Sequence, residues 1–528
     1  MFDHTNATAV ETMPPRRIAQ TVNVPLNRVE GDLEIRVEIV DGTVVDAWSA
    51  GTLYRGFENL LTGRAALDSL VLTPRVCGIC STAHLTAAAK ALESVSGATP
   101  PPDAVRIRNI TLMAELLQSD VRQTNLMFMP DFANPAYAAE PFYDEAVRRF
   151  AALQGESVIE TIRETKRILE IVALLGGQWP HSSYMVPGGV VSIPSAVDLT
   201  HCRCILRGFT TWYEHRILGC RLERWNAVRN LRDLNHWLEE RDEHRQSDLG
   251  CLLRLGRAIG LDSLGAGPNH FLSVGGLEIP PDSAVHAPGV TGTYLLPAGF
   301  AIGQKVSTLD QRKIAEDVSH SYCANYTGER HPHHGETRPV DPASHEKKYS
   351  WAKAPRYDGA PAETGPLAER IIAGNELYLE WCSPNPNALA RQMARLTRPA
   401  TLIAAMDRWL SEITPEQPCY SAVADPISGE GCGLTEAARG ALGHWVRIAD
   451  GKIEHYQLIT PTAWNGSPRD ARNHRGPWEE ALIGTPVRDS ENPVELGHVI
   501  RSFDPCLVCT VHALHAKRNP HEGGAIRI

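Results

Sequence analysis

Two short cysteine pairs carry the strongest chemical signal in the chain. One lies in Arg75-Val76-Cys77-Gly78-Ile79-Cys80 and is followed by His84; the other lies in Asp504-Pro505-Cys506-Leu507-Val508-Cys509 and is followed by His512. A Cys-x-x-Cys spacing lets two thiolates reach one ion from a single turn. One such pair also serves redox exchange or simple packing, but two pairs, each trailed by a histidine, point to a shared metal. Cys77 and Cys506 are 429 positions apart, far beyond the spacing of a zinc ribbon, whose ligands fold a small local unit. Ligands drawn from both ends of a long chain imply a buried site assembled by the whole fold. Thiolate ligation selects soft or borderline ions such as zinc, nickel or iron. Arg75, His84, Asp504 and His512 beside the sulfurs could handle protons or anions, company that a structural zinc does not need. Spacing alone still leaves a zinc or thiol-packing role open.

The elements that must position these groups are legible in outline. Apolar residues alternate at Leu33, Ile35, Val37 and Ile39, Asp41-Gly42 follows, and Thr43 to Trp48 resumes the pattern. Period two around Asp-Gly predicts a hairpin. Trp445 to Ile448, Asp450-Gly451 and Ile453 to Ile459 repeat it. Between these hairpins, segments 105–128, 143–175, 196–230 and 388–412 place apolar residues at helical spacing. Stretches rich in Pro, Gly and His at 177–195, 263–300 and 328–366 read as loops. No internal repeat appears at the usual period of roughly 20–50 residues. The expected class is α+β and α-dominated: a large helical-bundle body with small β-hairpin elements, forming one domain over 21–512 behind a loose leader at 1–20.

Composition bounds the function classes. The chain has 528 residues and a mass of 57.9 kDa, 43% hydrophobic and 22% charged, which excludes a disordered or collagen-like whole. With 52 basic against 62 acidic residues the net charge is −10, an argument against nucleic acid or an anionic membrane as partner. No run approaches the roughly 18 apolar residues of a membrane helix. The N-terminal stretch, despite Arg16-Arg17, lacks the apolar segment of a secretory signal. The expected location is the cytoplasm, with any hold on the inner face of the membrane made through partners. Cys202, Cys204, Cys220, Cys251, Cys323, Cys382, Cys419 and Cys432 show no four-ligand spacing and read as buried, inert thiols. Arg330-His331-Pro332-His333-His334-Gly335 reads as a polar surface turn.

At the cysteine pairs the sequence resembles the large, catalytic subunit of [NiFe]-hydrogenases, and the likeness runs from about Asn27 to His512. It is carried further by Asn27-Arg28-Val29-Glu30-Gly31, by Tyr54-Arg55-Gly56-Phe57-Glu58, by the segments 348–357 and 363–368, by Glu436 to Trp445 and by Pro461-Thr462-Ala463-Trp464-Asn465. The resemblance implies the [NiFe]-hydrogenase large-subunit fold and a Ni-Fe centre whose iron holds two cyanides and a carbon monoxide. Cys77 and Cys506 would be terminal nickel ligands, and Cys80 and Cys509 would bridge nickel to iron. His84 would hydrogen-bond the Cys80 sulfur, a contact that tunes a metal site. Arg439 and Thr462 would face the cyanides, while Glu58, His512 and the carbonyl of Leu458 would hold a magnesium ion. Glu30 would be the first proton acceptor beyond Cys506. Asp504 belongs to the Asp-Pro-Cys motif, and Asp120 matches the acid that pairs with the motif arginine, although the histidines around it in many relatives are missing here.

Charge counting supports the place of Arg439. Four thiolates and two cyanides against two divalent metals leave about −2 in a buried site, which requires a fixed cation. At about 4 Å and an effective dielectric near 20, each unit pair is worth roughly 4 kcal/mol before desolvation. The implied reaction is heterolytic cleavage of dihydrogen into a proton and a hydride, with the metals as Lewis acids. The proton would leave through Cys506 and Glu30, or through the Arg439 guanidine. The chain offers no relay for electrons, so the resemblance implies a small subunit that carries the iron–sulfur clusters, with a quinone as one eventual acceptor and a higher oligomer of heterodimers as the assembly. It also implies maturation proteins, including an endopeptidase that removes residues 513–528 after His512. Ala438 in place of a proline, the missing histidines around Asp120 and Cys509-Thr510-Val511-His512 resemble the actinobacterial-type, high-affinity, oxygen-insensitive uptake enzymes. Three rivals stand beside this reading: a structural zinc protein without turnover, a hydrogen sensor, and a quinone-binding respiratory subunit, whose relatives have lost these cysteines.

Overall fold

The computed structural model describes residues 19–31, 33–286, 292–422 and 427–506. Cys509, His512 and the peptide 513–528 lie outside the described residues, as does the expected leader up to residue 18. Strands β1 (Ala19–Leu26), β2 (Leu33–Val40) and β3 (Thr43–Gly51) form an antiparallel meander. Ala19 and Gln20, expected in the leader, pair with Val40 and Ile39. The β2–β3 turn forms where expected, because Asp41 and Gly42 both take positive φ (51° and 75°), the requirement of a type I′ hairpin. Asp450 and Gly451 repeat that geometry (50° and 74°).

Helix is the commonest element, at 45%, and four helices frame the site: α1 (Ser81–Ser96), α2 (Pro102–Arg122), α3 (Ala388–Glu412) and α4 (Val494–Ser502). The expected helix over 143–175 is three pieces, Tyr143–Phe150, Glu156–Ile168 and Glu170–Gly176. That over 196–230 is broken after Ala196–Trp212 by a π-turn at Tyr213–Leu218.

The loop expected over 263–300 is corrected by the structure. It holds β4 (His270–Glu278) and β5 (Tyr294–Ile302), joined by β6 (Lys305–Ser307) in one antiparallel sheet. Phe271 through Leu277 are all buried, so no polar face exists to give the period-two alternation by which a strand is read. The loop at 328–366 likewise contains a strand, Ala354–Tyr357, paired with Ile314–Asp317.

The third main sheet, β7 (Gly429–Ala437), β8 (Gly440–Ala449) and β9 (Lys452–Ile459), lies directly on α1. Glycine permits that contact. A Cβ on Gly433 would stand 1.9 Å from the Ala87 carbonyl oxygen, and one on Gly431 would stand 2.2 Å from that of Ala91. The helix answers with Ala83, Ala87, Ala88, Ala89 and Ala91, all fully buried. Small residues on both sides bring the helix that begins after Cys80 against the sheet whose first turn carries Arg439.

Candidate metal centre

Cys77 and Cys506 meet in the interior. Their relative exposures are 2% and 0%, and their sulfurs are 3.5 Å apart. That distance is far beyond a disulfide at about 2.05 Å and suits two thiolates on one ion at about 2.3 Å each. The first cysteine loop is gripped from outside. Arg55 donates from Nη1 to the Val76 carbonyl (2.6 Å) and from Nη2 to the Arg75 carbonyl (2.8 Å). Cys80 is the residue before the first turn of α1, where the helix dipole favours a thiolate. Glu115 of α2 accepts the backbone N–H groups of Thr82 (2.8 Å) and Ala83 (3.2 Å) and closes that turn. Burial pushes the Glu115 carboxyl up to about 7.

Cys506 is delivered by the end of α4. Asp504 bends the chain with a φ of 59°, a left-handed conformation that Asp tolerates better than most residues. Cys506 then donates its N–H to the Thr462 hydroxyl at 3.0 Å. Beside it, the Glu30 N–H donates to the Pro505 carbonyl at 3.3 Å, and Glu30 and Cys506 form a parallel bridge. The two ends of the described chain are thus laid side by side.

A small cavity next to the sulfurs is lined by Cys80, His84, Ala437, Arg439, Leu442, Pro461 and Thr462. Arg439 is buried, not the surface arginine that its residue type suggests. Its Nε donates to the Asp504 carbonyl oxygen (3.1 Å) and lies 3.0 Å from Asp504 Oδ1. Its Nη1 is buried and has no hydrogen-bond partner among the described residues. Burial opposes the charge, but Asp504 and the sulfurs of Cys506, Cys77 and Cys80 hold the guanidinium well above its ordinary value. Thr462, having accepted from Cys506, keeps its own hydroxyl proton to donate.

Asp120 does not meet Arg439 directly among the described contacts. Both its oxygens are held by Arg398 (2.7 and 2.8 Å), with Arg395 at 3.5 Å. Arg395 reaches Asp504 Oδ2 at 3.1 Å, so the order is Asp120, Arg395, Asp504, Arg439. Arg398 also binds Glu369 at 2.7 Å. Glu30 is half-buried; desolvation first, then the Cys77 sulfur and Asp504, raise its carboxyl above the usual range against the pull of Arg439. Such a group can take a proton that an ordinary carboxylate would refuse.

Glu58 lies on a second cavity with Tyr54, Glu316, Cys323, Thr337 and Lys353. Its carboxylate accepts the Leu458 N–H at 2.9 Å and the Thr337 hydroxyl, and lies 3.5 Å from Lys353 Nζ. Lys353 also contacts Glu316 at 3.2 Å. Among the described residues no group of three or more His, Cys, Asp or Glu side chains is gathered closely enough to hold an ion unaided, and Cys509 and His512 lie outside them.

Some expectations from residue type do not hold. Arg75 is exposed, and its guanidinium donates to the Val71 carbonyl. Cys204 is exposed, whereas Cys202, Cys251, Cys323, Cys382 and Cys419 are buried. Burial pushes the thiols of Cys202 and Cys251 up to about 12, as inert thiols require. His331 is half-buried against Trp445 rather than at a free surface turn. Arg55, Glu115, Arg395 and Arg398 carry structural duties at the site that residue spacing did not reveal. Arg391, Arg395 and Arg398 fall on one stripe of α3 among apolar neighbours such as Leu389, Met393 and Leu396, and that stripe was the available signal.

A family model described as nickel-dependent hydrogenase matches residues 55–139 and 132–512. The large subunit of the periplasmic [NiFeSe] hydrogenase of Desulfomicrobium baculatum is 33% identical, over 93% of this chain and 95% of that protein. The uptake hydrogenase large subunit of Azotobacter chroococcum mcd 1 is 28% identical, over 93% and 94%. The crystal structure of a reduced, active form of the Ni-Fe-Se hydrogenase from Desulfomicrobium baculatum superposes with a TM-score of 0.78 at 30% identity, covering 94% of this chain and all of that one. These names lend no support to the expected actinobacterial subgroup. Sulfurs from both ends of the chain, the match along its length and the shared fold together place this protein in the family of nickel-dependent hydrogenase large subunits, oxidoreductases that act on hydrogen.

Proposed function

We propose that this chain is the dihydrogen-cleaving subunit of an uptake hydrogenase, that it holds nickel through Cys77, Cys80, Cys506 and Cys509, and that it passes electrons to an iron–sulfur small subunit. The observation that carries the reading is the 3.5 Å approach of the Cys77 and Cys506 sulfurs. The residues present fit a nickel–iron group with anionic diatomic ligands: beside the sulfurs, a buried guanidinium with an unpartnered Nη1 and a threonine hydroxyl with a proton to give border one cavity. That group supplies, when bound, the Lewis acidity that lowers the barrier to splitting hydrogen. The protein does the rest. Asp504 orients Arg439 over the cavity, and Arg395 fixes Asp504 from behind. The Cys506 sulfur and the Glu30 carboxyl sit on bridged residues, a short route for a proton leaving the site. Glu58, the Leu458 carbonyl and His512 would hold magnesium; Lys353 lies near Glu58.

The match to the family model stops at residue 512, which supports removal of 513–528 after His512; an intact C-terminus in the mass spectrum of the active protein would overturn it. Among the described residues no helix is long and apolar enough to cross a membrane. A cytoplasmic site stands against a relative named periplasmic, and cell fractionation decides. The trace-hydrogen, oxygen-insensitive character rests only on Ala438 and the region around Asp120 and Cys509; the affinity of the purified enzyme for hydrogen tests it. Metal analysis and infrared spectroscopy test the main reading. Nickel with iron, bands of metal-bound cyanide and carbon monoxide, and hydrogen-dependent dye reduction are expected. Zinc without nickel would sink it, and metal-group bands without turnover would favour a hydrogen sensor.

A further inference from the structure

We propose that His444 and Tyr456 are positioning residues that fix the tautomer of His84, so that the His84 nitrogen available to the cavity carries a proton. The inference rests on the nickel–iron reading above. His84 Nδ1 lies 3.0 Å from His444 Nε2, and His444 Nδ1 lies 2.9 Å from the Tyr456 hydroxyl. All three side chains are buried, with exposures of 0%, 0% and 1%. His84 comes from α1. His444 and Tyr456 come from the paired strands β8 and β9, where Val446 is opposite Tyr456 and places His444 two residues along the same face. The tight contact of α1 with the sheet makes the chain of three groups possible.

Proton counting gives the chain a direction. A neutral imidazole has one N–H and one bare nitrogen. A metal-bound thiolate accepts hydrogen bonds and cannot donate. His84 lines the cavity with Cys80, and because Nδ1 is committed to His444, any hydrogen bond from His84 to a sulfur there uses Nε2. If that nitrogen is to serve the sulfur it must bear the proton, so Nδ1 is bare and needs a donor. His444 therefore presents Nε2–H, its Nδ1 is bare, and Tyr456 donates its hydroxyl proton. Burial disfavours a second proton on His444 and keeps the Tyr456 hydroxyl protonated. The reverse polarity would leave a bare His84 Nε2 facing a thiolate, lone pair to lone pair.

The test is infrared spectroscopy of the complete enzyme as wild type, Tyr456→Phe, His444→Leu and His444→Gln. Phenylalanine keeps the ring and removes only the hydroxyl; glutamine keeps an N–H able to donate to His84; leucine keeps none. A sulfur with a weaker hydrogen bond gives more electron density to iron, and iron passes it to carbon monoxide. The carbon monoxide band of Tyr456→Phe and His444→Leu should therefore move to lower wavenumber, or split as both tautomers populate, and His444→Gln should restore the wild-type band. Identical bands in wild type, Tyr456→Phe and His444→Leu overturn the proposal. If those variants lose the metal group, ring-nitrogen resonances of nitrogen-15 histidine-labelled wild type decide, with His84 assigned by its loss in His84→Gln. A protonated Nδ1 on His84 overturns the proposal and a bare one supports it. Absence of cyanide and carbon monoxide bands from the wild type would sink the nickel–iron reading instead, and the nitrogen spectrum would still judge the tautomer.

Discussion

Replacing Arg395 and Arg398 separately by methionine should separate stability from function. Both are buried, with side-chain exposures of 2% and 1%. Arg398 grips both oxygens of Asp120, binds Glu369 at 2.7 Å and donates to the Ala438 carbonyl at 2.9 Å. Arg395 makes longer contacts, 3.1 Å to Asp504 and 3.5 Å to Asp120, plus a 2.9 Å bond to Ala438. Burial opposes both charges. It wins at Arg395, whose guanidinium is held below its ordinary value, and it loses to Asp120 and Glu369 at Arg398. Breaking a buried ion pair by removing one partner costs about 3–5 kcal/mol. Arg398→Met, which strips Asp120 of its bidentate partner, belongs at or above the upper end. Arg395→Met leaves Asp120 with Arg398 and Asp504 with Arg439, and belongs near the lower end, about 3 kcal/mol. Activity should rank the other way among molecules still folded and metal-loaded, because Arg395, and among the described contacts not Arg398, steadies the carboxylate that aims Arg439. The assay is thermal unfolding followed by near-ultraviolet circular dichroism at one scan rate, with hydrogen-dependent dye reduction normalised to nickel content. Equal destabilisation by the two changes, or wild-type turnover per nickel in Arg395→Met, would refute the reasoning.

Glu30→Gln should lower hydrogen-dependent turnover by about 10²–10⁴-fold while nickel content and the cyanide and carbon monoxide bands stay as in wild type; an unchanged rate removes Glu30 from the proton route. Gly433→Ala forces a Cβ to within 1.9 Å of the Ala87 carbonyl and should cost about 3 kcal/mol or more. Gly208→Ala, on an exposed helical face with nothing within 4 Å, should stabilise by about 0.5–1 kcal/mol; paired melting curves check both. Burial lowers His498 to about 4; Asp131 at 4.0 Å opposes it, and the guanidinium groups of Arg501 and Arg28 add to it. Its folded value is below the unfolded one, so the unfolded chain binds the extra proton between about 6.5 and 4. Stability is fully present above that window and falls with acidification through it, by about 3 kcal/mol in all. His498→Phe, seated among Phe128, Phe132 and Tyr137, should flatten the fall, and denaturation midpoints at pH 7 and pH 4.5 measure it.

What could be read from the sequence was set by whether a residue's surroundings are local. Asp41-Gly42 and Asp450-Gly451 marked their hairpins because a two-residue turn is decided by its own φ angles. The cysteine pairs and Arg439 were legible through motifs, and Cys77 and Cys506 do meet. Strand β4 was missed because Phe271 through Leu277 are covered on both faces, which only distant segments can do. Arg395 and Arg398 were missed for a similar reason: an arginine on a helix is ordinarily solvated, and nothing near residue 398 in sequence announces Asp120, 278 positions away. His444 lay inside a recognised segment, but its contact with His84 spans 360 positions.

The bridge between Glu30 and Cys506 has a consequence for biosynthesis. A ribosome adds about 5–20 residues each second, so roughly 20–90 seconds separate the emergence of Cys77 from that of Cys506. Throughout that interval the nascent polypeptide presents two lone sulfurs with no opposite pair to close on them. If the four cysteines hold one metal group as proposed, any soft cation arriving early finds only half a grip, and the group is inserted after translation has nearly finished.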